Sequence, residues 1–351
     1  MGIRLVFKII SIIIAVGLIC CALVLGGIMY FNAPPDKVVT TNENDEFILE
    51  VRSGETAYSV GRRLEDAGVI RSRYFWNLLF RIDKDYIKTG TYRIEIPASQ
   101  IKIRSILVSG EQILIKVTIP EGVTLKKASR ILEEGGICGA DEFLAAASSG
   151  EILDKYKVPG TDMEGYLYPD TYLFPLAYPA KQVVSAMADN FFKRMENIAP
   201  EFFTPWGVQG LGADELNNRV IIASIVEREY RIAEEAAVMA GVFYNRMKRG
   251  MALQSCATVE YVITEIQGRP HPEVLFNRDL EINDPYNTYI RSGLPPGPIS
   301  APGETALRAA FYPVTSDYLY FRLTEPSIGR HYFSNTLDDH IRAGALYTKG
   351  S

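Results

Sequence analysis

The chain has 351 residues, which is enough for two folded regions and a further segment outside them. It carries 37 Lys and Arg residues against 42 Asp and Glu residues, a formal net charge of −5, which disfavours a nucleic-acid-binding role. Its four cysteines, Cys20, Cys21, Cys138 and Cys256, show neither a Cys-x-x-Cys pair nor a zinc-ligand spacing. The cysteines thus give no sign of a zinc site, and we predict a protein that works without a metal or a cofactor.

The N-terminal segment predicts a membrane anchor. Ile9–Phe31 is an uncharged run of 23 residues, and at about 1.5 Å per residue such a helix spans the hydrocarbon core of a bilayer. Arg4 and Lys8 precede the run, which predicts a cytoplasmic N-terminus and a single pass that places the rest on the extracytoplasmic side of the cytoplasmic membrane. A cleaved signal peptide is the alternative, but the run is longer than a typical signal core and no small-x-small site follows. Residues 1–31 are thus predicted to be a cytoplasmic stub and transmembrane anchor.

Residues 32–45 read as a linker, because Pro34-Pro35 and a polar run offer little apolar surface to bury. A weak internal repeat with an offset of 68 residues follows, in which Gly54 corresponds to Gly122. Each copy opens with an alternating strand, 47–51 or 113–117, turns at glycine and enters a helix that a threonine can cap.

The first copy, residues 46–112, closes with a strand near Gly90–Glu95 and resembles a LysM module. LysM modules bind polymers of N-acetylglucosamine; the alternative is a spacer that binds nothing, because the turn motif reflects backbone geometry. Residues 113–153 are predicted to form the second repeat and a connecting region.

Residues 154–351 are predicted to form the C-terminal catalytic domain, an α+β domain with long loops, which often carry binding or catalysis. The fold class is therefore α+β, with a transmembrane helix, a small LysM-like region and this domain. Its predicted helices are Ala180–Glu196, Asp214–Tyr230 and Ala233–Arg249, and its predicted strands are Tyr318–Leu323 and His331–Ser334.

Glu227 is the candidate catalytic residue. The seven residues before it are almost entirely apolar, and Leu216, Val220 and Ala223 share its helical face. A carboxyl group at the end of an apolar stripe loses hydration of its charged form, so its pKa rises and it can act as a general acid. The alternative is a buried ion pair, with Arg246 as a possible partner. Glu229 is expected to point elsewhere, into solvent.

Ala223–Glu229 resembles the signature of the endolytic murein transglycosylases of the MltG (YceG-like) family, and the resemblance covers nearly the whole chain. Several further segments match in the same order. They are Glu164–Tyr172, Val242–Arg246, Leu253–Ser255, Tyr286–Tyr289, Gly293–Gly297, Tyr318–Phe321 and His331–His340.

The resemblance implies a peptidoglycan lyase whose catalytic glutamate is Glu227. It would protonate the bridging oxygen after N-acetylmuramic acid and then accept the proton of the sugar's own 6-hydroxyl as that oxygen attacks C1, leaving a 1,6-anhydro end. One carboxyl that changes role suffices, whereas glycoside hydrolases normally use two. The resemblance also implies partnership with penicillin-binding synthases of the wall-elongation machinery.

Tyrosine rings stack on sugar faces and amides satisfy sugar hydroxyls, so residues of these types are candidates for the substrate groove. Asp170 is a candidate for positioning a loop there. The family usually has Asp where this chain has Cys256, so the role of that Asp is expected to be met differently or weakened here. The other substrate-binding candidates are Tyr166, Tyr168, Tyr172, Gln254, Tyr286, Asn287 and Thr288.

Two other functions remain open, and a third is disfavoured. A non-catalytic, membrane-tethered glycan-binding scaffold for wall synthesis accounts equally well for the anchor and the LysM-like region. A hydrolytic muramidase differs from a lyase in its product rather than its sequence. A thiol peptidase built on Cys256 is disfavoured, because no nucleophile motif surrounds that residue.

Overall fold

The computed structural model describes residues 2–36, 45–52, 54–204 and 207–347. The chain forms two compact units, Met1–Leu114 with Pro175–Ala177 and Ile115–Phe174 with Tyr178–Ser351. The fold is a mixture of helices and small sheets, as predicted, and in the described residues each sheet has two strands. The predicted linker 32–45 lies mostly outside the described residues, as does Ser53 of the predicted repeat.

The first helix, α1 (Gly2–Asn32), contains an apolar stretch that is long enough to cross a membrane. The stretch Phe7–Asn32 has a mean hydropathy of 3.0, and none of its most apolar window is buried against protein. Side chains as large as Leu18 are 67% exposed. The predicted apolar N-terminal helix is confirmed, and it fits a single-pass membrane anchor.

After α1, the first unit builds a small core around an antiparallel strand pair. Trp76 is fully buried there and its indole N–H donates to the carbonyl of Ala57 over 2.9 Å. Thr56 caps the helix that follows the first strand, because its hydroxyl accepts the N–H of Ser59. The elements are β1 (Glu46–Val51), α2 (Ala57–Asp66), α3 (Arg73–Asp83), β2 (Gly90–Glu95) and α4 (Gln100–Ser109), and β1 pairs with β2.

The second unit contains most of the helices. Its sheets are two-stranded, β3 with β4, β5 with β6 and β7 with β8. The elements from β3 onward are β3 (Leu114–Thr118), α5 (Leu125–Glu134), α6 (Ala140–Ala147), α7 (Gly150–Tyr156), β4 (Thr171–Pro175), α8 (Ala180–Ile198), β5 (Phe203–Thr204), β6 (Gly207–Val208), α9 (Ala213–Glu229), α10 (Ala233–Lys248), α11 (Cys256–Tyr261) with a π-helical turn (Val262–Ile266), α12 (Asn277–Leu280), α13 (Glu304–Phe311), β7 (Tyr320–Glu325), β8 (Arg330–Ser334) and α14 (Leu337–Tyr347).

Helix α9 lies in the core of the second unit and packs against α10 and α13. Residues 220–226 are all buried, as expected for a helix that is apolar on every side. Phe143 of α6, from the predicted connecting region 113–153, belongs to the same core. The structural unit therefore begins earlier than the predicted catalytic domain 154–351, because α6 packs against α8 of that domain. The functional roles of the domains stay predictions.

The contact between α10 and the chain near Val314 leaves no room for a side chain on Gly241. A Cβ atom there would lie 2.4 Å from the carbonyl oxygen of Val314, which is backbone and cannot swing away. We expect Gly241→Ala to destabilise the second unit by about 1–3 kcal/mol, the usual cost of overpacking. The measurement is the thermal unfolding midpoint of the full chain in detergent.

Gly150→Ala is the matched control, because a Cβ atom at Gly150 meets nothing within 4 Å and the residue begins a helix. Its midpoint should equal or slightly exceed that of the wild type. An unchanged midpoint for Gly241→Ala would contradict the close approach of Gly241 and Val314.

Candidate active site

Glu227 sits in the last turn of α9, where one of its oxygens is held by the start of α13. The backbone N–H of Gly303 donates to its Oε2 atom over 2.9 Å. The chain before α13 is fastened to α9 one turn earlier, because Ile299 N–H donates to the Ser224 hydroxyl and the Ser300 hydroxyl donates to the Ser224 carbonyl, both over 3.0 Å. Burial of α9 thus fixes both the carboxyl group and the backbone donor that orients it.

The loop that follows β3 completes this site. Gly122 N–H donates to the carbonyl of Ala301 over 2.8 Å, and Ala301 N–H donates back to Val123 over 2.7 Å. A Cβ atom on Gly303 would lie 1.9 Å from Oε1 of Glu121, so the Glu121 carboxyl rests directly against Gly303. Two carboxyl groups, Glu227 and Glu121, therefore flank the same glycine.

The surroundings favour the protonated form of Glu227. Burial raises its pKa to about 7, and the nearby charge of Glu121 adds to the rise, while the hydrogen bond from Gly303 opposes it. Within the described part of the chain Glu227 forms no ion pair. Arg246, the partner considered from sequence, donates instead to the carbonyls of Ala252 and Leu319 over 2.9 and 3.2 Å. The buried ion pair with Arg246 is therefore not present.

The expectation that Glu229 points into solvent is wrong. Its carboxyl accepts a short hydrogen bond from the Ser255 hydroxyl and a further one from the N–H of Ala257. Burial raises its pKa as well. The reason is that the loop after α10 folds over the end of α9 and covers the helical face that carries Glu229. The sequence of α9 by itself does not predict this cover.

Four of the predicted substrate-binding residues lie in β4 or on the segment just before it. Tyr166 is buried and donates to Oδ1 of Asn217 over 3.0 Å, and the Tyr172 hydroxyl donates to the Tyr168 carbonyl over 2.6 Å. Burial raises the pKa of Tyr168, and the Arg194 guanidinium, 5.4 Å from the centre of its ring, opposes this rise.

Asp170 is tied to α8. Asn190 and Arg194 donate to its Oδ2 atom over 3.1 and 2.6 Å, and these bonds outweigh partial burial and lower its pKa. Its carbonyl accepts the N–H of Ile119 over 2.9 Å, next to the loop that carries Glu121. This geometry is consistent with the predicted loop-positioning role, which stays a prediction.

The remaining candidates lie together near α11. Asn287 is fully buried and its amide donates to the carbonyls of Leu280 and Ile282, while the buried Thr288 hydroxyl accepts the N–H of Ser255 over 3.1 Å. These two side chains are occupied in holding the loop.

Gln254 and Tyr286 differ from those two residues because they keep solvent-accessible surface. Gln254 is exposed, and its amide oxygen accepts a bond from Arg246. The half-buried Tyr286 packs against Tyr261, with the two rings tilted by 38° and their centroids 5.0 Å apart. Direct sugar contact by any of the candidates stays a prediction.

Cys256 faces a cavity of about 520 Å³ that begins beside Arg228 and Glu229. Its Sγ atom lies 3.1 Å from the Tyr289 hydroxyl, and burial raises the pKa of the thiol. A protonated thiol is a poor nucleophile, which argues against a thiol peptidase. Cys138 is also free, so the two residues form no disulfide. Among the described residues no group of three or more His, Cys, Asp or Glu side chains is arranged to hold a metal.

Sequence reasoning missed Glu121 and Gly303. The internal repeat contained a signal for Glu121. The offset of 68 residues aligns Glu121 with Ser53, so at this position only the second copy has a carboxyl group. Gly303 has no such signal, since its importance comes from two glutamates that reach it from distant parts of the chain.

Comparison with known proteins agrees with the resemblance seen in the sequence. Two curated relatives are each named "Endolytic murein transglycosylase". The one from Streptococcus pneumoniae (strain D39) is 27% identical over 87% of this chain and 59% of its own length, and the one from Bacillus subtilis is 25% identical over 93% of this chain and 91% of its own. The chain thus spans somewhat less than two thirds of the streptococcal relative.

A solved crystal structure of a yceG-like protein from Listeria monocytogenes has a TM-score of 0.55 and 28% identity to this chain, and it covers 86% of this chain and 99% of its own. The family model described as "YceG-like family" matches residues 49–345. This match includes the Glu227 site and most of both units, so the chain belongs to the YceG-like family.

Proposed function

We propose that the chain is an endolytic lytic transglycosylase, a lyase that cleaves peptidoglycan glycan strands between N-acetylmuramic acid and N-acetylglucosamine and leaves 1,6-anhydro ends. The single observation that carries the proposal is the Glu227 carboxyl, which has a pKa of about 7 and is oriented by the Gly303 N–H. A carboxyl group with this pKa holds its proton at the pH where a glycosidic oxygen needs one.

The chemistry follows from the two oxygens of Glu227. Gly303 holds Oε2, while Oε1 forms no hydrogen bond within the described residues and is available to the substrate. The acid gives its proton to the bridging oxygen as the bond from that oxygen to C1 breaks. The resulting carboxylate then takes the proton of the 6-hydroxyl as its oxygen bonds to C1, which returns Glu227 to its starting state. No water is consumed.

The names of the relatives support this activity, since both curated relatives are called endolytic murein transglycosylases. By the same resemblance we propose that nascent strands are the substrate and that penicillin-binding synthases are partners. We further propose that α1 anchors the chain with its N-terminus in the cytoplasm and the second unit on the extracytoplasmic side.

One observation favours a second candidate, a hydrolytic muramidase. Glu121 places a second carboxyl group beside Glu227, and glycoside hydrolases use such a pair to activate water or form a glycosyl intermediate. The two activities differ in their products, because a hydrolase leaves a reducing end and a transglycosylase leaves an anhydro end.

Glu227→Gln should abolish cleavage of purified glycan strands, with a loss of at least about 10³-fold in kcat/KM, because an amide cannot supply the proton. Mass spectrometry of the digest should show anhydro-muramic ends with the wild type and none with the variant. Glu215→Gln is the control, since Glu215 is an exposed residue of the same helix and should leave the rate unchanged. Reducing ends from the wild type would identify a muramidase, and full activity of Glu227→Gln would remove Glu227 as the acid.

Loss of activity in Glu227→Gln must not come from unfolding, and the pKa supplies a check. The pKa of Glu227 is raised from 4.5 to about 7 in the folded state. The ionised carboxyl group therefore destabilises the folded protein, increasingly as the pH rises from 4.5 to 7 and to the full extent above pH 7. At pH 8 Glu227→Gln should therefore unfold at a temperature no lower than that of the wild type. A lower unfolding temperature would show that the glutamine disturbs the fold.

The rate of the wild type should fall as pH rises through about 7, because the general acid loses its proton there. Glu121→Gln removes a negative charge that raises the pKa of Glu227, so this limb of the profile should move to lower pH. The measurement is kcat/KM against pH for both proteins. If kcat/KM falls at the same pH in both proteins, the charge of Glu121 does not raise the pKa of Glu227.

A further inference from the structure

The cavity of about 520 Å³ lies at the end of α9, where Arg228 and Glu229 line it. A Cβ atom on Gly122 would lie 3.7 Å from both Cγ of Glu227 and Cδ of Arg228, so the Arg228 side chain runs beside the catalytic carboxyl. Arg228 also lines the cavity, whose other walls come from the loop before α11, from β7 and β8, and from α14. A molecule held at Glu227 thus has a second, adjoining space into which a substituent can extend.

Cationic side chains outnumber anionic ones in this cavity. The acids are Glu229, whose pKa is raised by burial, and Glu260, which pairs with Arg228 over 2.9 Å. Three further arginines, Arg231, Arg246 and Arg322, line the cavity and form no ion pair within the described part of the chain. The cavity is therefore positively charged, although the chain as a whole carries a net charge of −5.

Arg246 is the most deeply buried cation of this cavity. It is only 7% exposed, and burial lowers its pKa. Its guanidinium donates to two backbone carbonyls and to the Gln254 amide, all of them neutral acceptors. In addition, Nδ1 of His340, on the cavity wall, is buried without a hydrogen-bond partner among the described residues. A buried cation and an unsatisfied polar atom would both gain from an anionic oxygen.

We propose that this cavity binds a carboxylate of the peptide stem that the muramic-acid residue carries, and so selects strands that bear stems. The inference rests on the proposed function, since it needs the muramic acid at Glu227. Guanidinium groups match a planar carboxylate with paired hydrogen bonds, and Leu253, Tyr289 and Tyr320 add apolar surface suited to a short peptide. The volume lies within the usual range of ligand pockets, about 300–1,000 Å³.

Binding is tested first, in a form that does not need activity. Full-length Glu227→Gln protein in detergent is titrated by calorimetry with a stem pentapeptide that ends in a free carboxylate and with the same peptide as its carboxamide. The peptide with the free carboxylate should bind about tenfold more tightly than the carboxamide, because one charge-assisted hydrogen bond contributes a free energy of about this size. Arg322→Gln and Arg231→Gln, both at exposed positions on the wall, should each reduce this preference.

Arg130→Gln is the matched control, because Arg130 is an exposed arginine of α5 that does not line the cavity, and it should keep the tenfold preference. Equal affinity for acid and amide would overturn the proposal. Inorganic phosphate that competes as tightly as the peptide would also overturn it, because the cavity would then be a general anion site. An unchanged preference in both wall variants would remove the arginines as the recognising groups.

Cleavage is tested second, on strands that carry stems and on the same strands stripped by an amidase. The wild type should cleave the stem-bearing strands about tenfold faster in kcat/KM, following the same binding difference. Arg322→Gln should reduce this preference, because it should cleave stem-bearing strands more slowly than the wild type does. If the wild type cleaves neither strand, the proposed function fails and the binding experiment still decides the cavity. If it cleaves both equally, the stem proposal fails and the lyase stands.

Discussion

The hydrogen bond from the Gly303 N–H to Glu227 depends on the burial of α9, and the site is built around it. Helix α9 is apolar on every side along residues 220–226, so it is stable only when α10, α11 and α13 cover it. That covering brings the N-terminus of α13 and the loop after β3 to the same end of the helix. A carboxyl group placed there loses water on most sides and receives one backbone donor in exchange.

This arrangement explains why two glycines stand at the site. Gly303 has no side chain, so the Glu121 carboxyl can rest against its backbone while its N–H reaches Glu227. Gly122 has a φ of +74°, a backbone conformation that favours glycine, and it turns the chain beside Glu227. The two turns are joined by the reciprocal backbone bonds between residues 122–123 and 301. The position of Glu121 thus follows from backbone geometry rather than from a side-chain contact with Glu227.

The C-terminal end of α9 carries two carboxyl groups, Glu227 and Glu229, which lie in different surroundings. Glu227 faces a backbone donor and a second carboxyl group, whereas Glu229 is held by Ser255 and lines the arginine-rich cavity. Both have raised pKa values for the same first reason, burial. Only Glu227 has an oxygen that is unused by the described part of the chain and lies beside a second acid, which is why the catalytic role is proposed for it.

The sequence by itself determined the apolar N-terminal helix, the buried α9 with an acid at its end, and the family, because periodicity and ordered motifs are local properties of the chain. Helix bounds such as Ala180–Ile198 for a predicted Ala180–Glu196 differ by a few residues at most. The tertiary structure alone decided that Glu121 joins Glu227, that Glu229 is covered, and that Asn287 and Thr288 hold a loop. These facts depend on contacts between residues far apart in the chain, such as Glu227 with Gly303 and Ser255 with Thr288, which no local pattern encodes.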